Sequence, residues 1–188
     1  ADKSLDNWLL KELTSELAKE NPENPMVFDW NRVQCYGMQG KSTFFDITNT
    51  KYRDLLLETE AYQITKVLFI IDADCHENDA VYGGYHNTLN QWQTLVMNQL
   101  NIAAISDIFI SCDPITQTGY VESLLLSTLD DDKKTCIETF LACSDFQHKD
   151  NAKAILRQIY KTAYPKAPYD LQHAHFDELK QKLRALFS

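Results

Sequence analysis

The sequence has no apolar run long enough to cross a membrane: its best candidate, Val67 to Ile71, stops at Asp72, whereas a spanning helix needs about 20 apolar residues. No membrane partner is expected. A secretory leader is also missing from the residues in hand, since Ala1 to Glu20 has neither a basic start nor an apolar middle followed by a cleavage site. Five cysteines, Cys35, Cys75, Cys112, Cys136 and Cys143, are scattered and never spaced as CxxC. An odd, unpatterned set of this kind is expected to be free thiols in a cytoplasmic protein rather than a disulfide framework or a structural zinc site. Basic charge is the most conspicuous shortage. From Val67 through Asp132 there is no Lys or Arg, while ten acidic residues fall there, and the whole chain carries a net charge of -9. Coating nucleic acid or an anionic bilayer through bulk electrostatics is excluded by that sign.

What is present reads as one α/β domain, because 188 residues at 44% hydrophobic composition bury one core comfortably and not two. Leu9, Leu13 and Leu17 recur at helical spacing, with Trp8 and Leu10 beside them, predicting a helix over 5–20 that stops before Pro22. Val27, Phe28, Val33 and Tyr36 lie in short extended pieces, 37–41 is a glycine turn, and 51–59 is helical. Lys66 to Asp72 is a continuous apolar run rich in branched residues, the pattern of a strand buried on both faces. A loop over 79–85 bearing Gly83 and Gly84 leads to a helix over 88–100. A second buried strand covers 107–112 and a helix 121–129. Three further helical patterns cover 136–146, 151–164 and 176–187, the last two separated by Pro165 and Pro168. Strands alternating with helices predict a mostly parallel sheet covered on both faces. The core is expected over 1–130, with 131–188 a helical extension of the same domain.

The chemistry-bearing feature is Asp72-Ala73-Asp74 at the carboxyl end of the first buried strand, where ligands gather in open α/β sheets. Two carboxylates with no cation nearby in sequence repel one another, and a bound Mg²⁺ or Mn²⁺ relieves that repulsion. Oxygen donors alone select those ions over zinc. A surface turn after a strand is the plain alternative. Among families that place DxD after an apolar strand, haloacid dehalogenases need Thr or Val where this chain has His76. Nucleotide-sugar glycosyltransferase domains are generally longer.

The chain resembles the topoisomerase-primase (TOPRIM) domain, in the small bacterial branch related to overcoming-lysogenization-defect nucleases. The resemblance rests on Ser4 to Leu10, on the glycine turn Gly37 to Lys41, on Phe69 to Asp74, and on Gly119-Tyr120-Val121-Glu122-Ser123-Leu124-Leu125. The family's first strand, ending in Glu-Gly, would precede Ala1. The resemblance implies a Rossmann-like TOPRIM sheet, Mg²⁺ or Mn²⁺ at Asp72 and Asp74 with Glu122 as a third ligand, and phosphoryl transfer on nucleic acid by a nuclease or another phosphodiester-processing enzyme. A non-catalytic TOPRIM-like binding module and an unrelated nucleotide-binding α/β domain stay open beside it.

Other side chains are candidates for phosphate or nucleic-acid contact. Lys41 follows Gly40 in the glycine turn, and His76 follows the acidic motif. Lys149, Lys153, Arg157 and Lys161 recur every fourth residue, so they share one helix face; a solvated face is the plain alternative. Tyr82, Tyr85 and Trp92 are candidates for base stacking. His86, His173 and His175 read as loop histidines, and Cys75 has no evident base to activate it.

Overall fold

The computed structural model describes residues 5–76, 79–144, 154, 155, 158 and 170–188. Two strands form the sheet among them. β1 (Val67–Asp72) and β2 (Ser106–Ser111) pair in parallel from Val67 opposite Ser106 to Asp72 opposite Ser111. The fold is therefore α/β with a parallel pair at its centre. The broader sheet expected from the sequence is not formed by the described residues: 27–36, expected to be extended, contains only a 3-10 turn at Trp30–Arg32 and pairs with no strand. Asp29 caps that turn by accepting from Asn31 N, which diverts the chain from a ladder.

Alternation along the strands divides the apolar side chains between two cores. On one face Leu68, Ile70 and Phe109 pack with α1 (Leu5–Lys19) through Leu9, Leu13 and Leu17. They also pack with the buried leucines of α5 (Val121–Leu126) and with Leu179 and Leu183 of α7 (Asp177–Phe187). Ile137 of α6 (Asp131–Cys143) joins the same cluster. On the other face Phe69, Ile71, Ile108 and Ile110 pack with Phe44 of α2 (Lys41–Phe44) and Tyr52 and Leu55 of α3 (Thr50–Glu60). Leu89 and Trp92 of α4 (Tyr85–Thr94) lie against that second core. The continuous apolar run of β1 thus has the cause inferred for it: helices cover both faces.

Element ends differ from expectation where a cap intervenes. Asn49 Oδ1 accepts from Lys51 N and starts α3 one residue early, and Asp130 Oδ1 accepts from Lys133 N and starts α6 at Asp131 rather than at Cys136. The helix expected over 88–100 is α4 from Tyr85, followed by a π-helical turn over Leu95–Gln99 that buries Leu95 and Val96. The pattern over 151–164 lies outside the described residues.

Candidate functional site

β1 ends on Asp72, and the chain then turns sharply. Ala73 N still donates to Ser111 O (2.9 Å), extending the ladder by one bond, and Asp74 takes a left-handed backbone with φ 57°. Aspartate tolerates that region better than most residues. Asp74 is held there by a two-way pairing with Gly119, donating to its carbonyl at 2.6 Å and accepting from its N–H at 3.1 Å. Gly119 itself has φ 96°, which favours glycine. The same crossing brings α5 to the strand end, where Val121 N donates to Asp72 Oδ1 (3.1 Å). One carboxylate thus meets the amino end of a helix, and the other sits in a turn fixed by the segment leading into it.

Lys41 completes the arrangement. Its Nζ is buried beneath the motif and donates to Ala73 O (2.6 Å), Tyr82 O (2.8 Å) and Thr88 Oγ1 (2.8 Å), 3.6 Å from Asp74 Oδ2. Three acceptors use the three N–H bonds of an ammonium. Lys41 is therefore a brace for the turn rather than the phosphate contact expected of it. Burial pushes its ammonium below the usual lysine range, against the opposing pull of Asp74, Asp79 and Asp72. The carboxylates lack a cation nearby in sequence but have one in space.

Glu122 lies in the first turn of α5 with its side chain fully buried, while Asp72 and Asp74 are partly exposed. Among the described residues no three His, Cys, Asp or Glu side chains group as a metal cluster. Burial sets Glu122 apart from the two partly exposed aspartates. His76 is exposed just beyond the motif. Lys149, Lys153, Arg157 and Lys161 lie outside the described residues.

The stacking candidates are engaged inside the protein. Tyr82 stacks on Phe45 (5.2 Å, 19°), Trp92 meets Phe69 edge-on (6.2 Å), and Tyr85 packs against the second core. His173 and His175 contact each other at 4.2 Å, and His175 Nδ1 lies 2.8 Å from Ser127 Oγ; Cys75 is half-buried and His86 exposed.

A second turn, expected around Asp113-Pro114, is braced by contacts that the sequence does not show. Asp113, at the end of β2, accepts from Ile115 N (2.8 Å) and pairs with Lys134 (3.0 Å). Burial works to raise its carboxyl, but the Ile115 amide and then the Lys134 ammonium outweigh that and hold it below the usual range. The Asp113-Pro114 pair after a strand was the available signal, since aspartate before proline favours turn initiation.

No protein-family model matches this chain, and no curated protein and no solved structure matches it either.

Proposed function

We propose that this is a TOPRIM-like, Mg²⁺- or Mn²⁺-dependent phosphoryl-transfer protein acting on nucleic acid, as a nuclease. The observation that carries the reading is the placement of Asp72 and Asp74. Both lie at the carboxyl end of a parallel strand, and each is fixed through the segment that opens α5. The donor set fits the ion: Mg²⁺ takes one or two protein carboxylates and completes its octahedron with water and phosphate oxygens. When bound, such a cation supplies neutralisation of phosphate charge.

The chain's own residues contribute positioning. Asp72 is oriented by the Val121 amide, Asp74 by its pairing with Gly119, and Lys41 ties Ala73 to the loop that leads into α4. The burial of Glu122 favours a second reading, a non-catalytic TOPRIM-like module, because it withdraws one carboxylate from the rim.

The test is calorimetric titration of Mn²⁺ into the wild type and the Asp72→Asn/Asp74→Asn variant. Binding is expected in the first and not in the second; equal binding would sink the proposal. Mn²⁺-dependent cleavage of a short DNA or RNA oligonucleotide by the wild type separates the nuclease from the module. Clustered carboxylates alone predict an intact or stabilised fold for the variant. Lys41 alters that expectation, since removing Asp74's charge leaves a buried ammonium less compensated. A modest loss of stability is expected instead.

A further inference from the structure

The two aspartates of the motif stand in different electrostatic surroundings. Lys41 Nζ lies 3.6 Å from Asp74 Oδ2, and both side chains are largely buried, the lysine at 6% exposure and the aspartate at 13%. The three acceptors of that ammonium, Ala73 O, Tyr82 O and Thr88 Oγ1, are all neutral, so its charge has to be balanced by a carboxylate. Among the described residues only Asp74 lies within ion-pair distance of it. Burial works against the ammonium, and of the carboxylates that oppose this effect Asp74 acts most strongly, Asp79 next and Asp72 least. Asp79 also holds its own loop, since its Oδ1 accepts from Val81 N (3.1 Å) and Tyr82 N (2.9 Å).

Neither member of the Lys41–Asp74 pair is placed to move aside. Ala73 O accepts from Gly84 N (2.9 Å) as well as from Lys41, and Asp74 is held in its left-handed backbone by the two-way pairing with Gly119. A divalent ion on Asp74 would stand beside a fixed ammonium, and like charges repel strongly where little water screens them. Asp72 is placed differently. Its carboxylate ends β1, is partly exposed, and is oriented by Val121 N at 3.1 Å. One protein carboxylate suffices for Mg²⁺, which keeps several of its waters.

We infer that the two aspartates have separate roles: Asp74 is the counter-ion of Lys41, and Asp72 alone ligates the divalent cation, so the site takes one ion and not two. The inference rests on the metal reading of this site and narrows it. Lys41 and Asp74 then act as a unit. Losing Asp74 weakens metal binding only because it strands the ammonium, and losing both charges together restores it.

Mn²⁺ is titrated calorimetrically into the wild type, Asp72→Asn, Asp74→Asn and Lys41→Gln/Asp74→Asn, with folding checked by circular dichroism. The wild type should bind one ion per chain. Asp72→Asn keeps the oxygen that accepts from Val121 N and should show no binding. Asp74→Asn should bind about tenfold more weakly through repulsion by Lys41, and the double variant should return to within about threefold of the wild type. Two ions per wild-type chain, binding retained by Asp72→Asn, or a double variant as weak as Asp74→Asn would overturn this inference and leave the metal reading standing. Absence of binding by the wild type would overturn both. If the double variant does not fold, the wild type decides: as Mg²⁺ is added, the carboxyl ¹³C signal of Asp72 should move several-fold further than that of Asp74, and equal movement would overturn the inference.

Discussion

At the scale of single residues, burial decides which titratable groups matter to stability. Cys112 follows β2 and is buried at 6% exposure, while Cys35, Cys136 and Cys143 are exposed. Burial, and then the charges of Asp113 and Glu178, push the Cys112 thiol from 9.0 up to about 11. The folded state therefore favours the neutral thiol. Its contribution is fully present below the unfolded value and is lost as pH rises through the folded one. About 2 kcal/mol of stability is therefore lost between pH 9 and 11. Cys112→Ser carries no group that ionises in this range. Denaturant titrations of both proteins across those pH values should show the wild type losing about 2 kcal/mol more than the variant; parallel curves would exclude the assignment. Tyrosines with raised values, such as Tyr36 and Tyr85, are common to both proteins and cancel in the difference.

At the scale of elements, the junction between β1 and α5 matters most, and Gly119 is its tightest point. With φ 96° it sits where L side chains are strained, and an added Cβ would lie 2.7 Å from Ser123 Cβ and nearer still to its hydroxyl. That hydroxyl is already fixed, accepting from Tyr120 N at 3.3 Å. Gly119→Ala is thus expected to combine about 1 kcal/mol of left-handed strain with displacement of the first turn of α5. A total loss of about 2 to 3 kcal/mol follows. The damage should be local in kind as well as global in size. Amide exchange at Asp74, which donates to Gly119 O, should quicken more than exchange at Phe69 in the middle of β1. A variant as stable as the wild type, with Asp74 protection unchanged, would show that the junction is not strained as described. The sequence indicates why such a joint was hard to foresee. Asp72 and Asp74 were legible because a carboxylate pair after an apolar run carries its chemistry in its side chains. Gly119 was legible only as a turn residue. The role of Lys41 was hidden, because two of its acceptors are main-chain carbonyls, of Ala73 and Tyr82, and carbonyls leave no mark in the residue code.

At the scale of the whole molecule, the legible part is again the periodic part. β1, β2, α3 and α7 lie within a residue or so of where apolar spacing placed them. The stretch over 27–36 was misplaced because strand propensity says nothing about whether a partner edge is within reach. The way the strands divide their side chains has a further consequence. Leu68, Ile70 and Phe109 belong to one core and Phe69, Ile71, Ile108 and Ile110 to the other, yet they alternate along the same two strands. Neither core can melt while the other keeps its strands in register, since loosening β1 withdraws side chains from both faces together. Both cores should therefore fail in one transition. Leu124, 1% exposed, tests the first core, and Leu95, also 1% exposed, tests the second. Each substitution to Ala removes a fully buried side chain and should cost about 2 to 5 kcal/mol. Thermal melts of both variants, followed by far-ultraviolet dichroism for helices and near-ultraviolet dichroism for aromatic packing, should give coincident single transitions at lowered midpoints. Phe44, Phe69 and Trp92 are the second core's contribution to the aromatic signal. Loss of that signal ahead of the helical signal in Leu95→Ala, with Leu124→Ala leaving it intact, would mean that the two faces unfold separately.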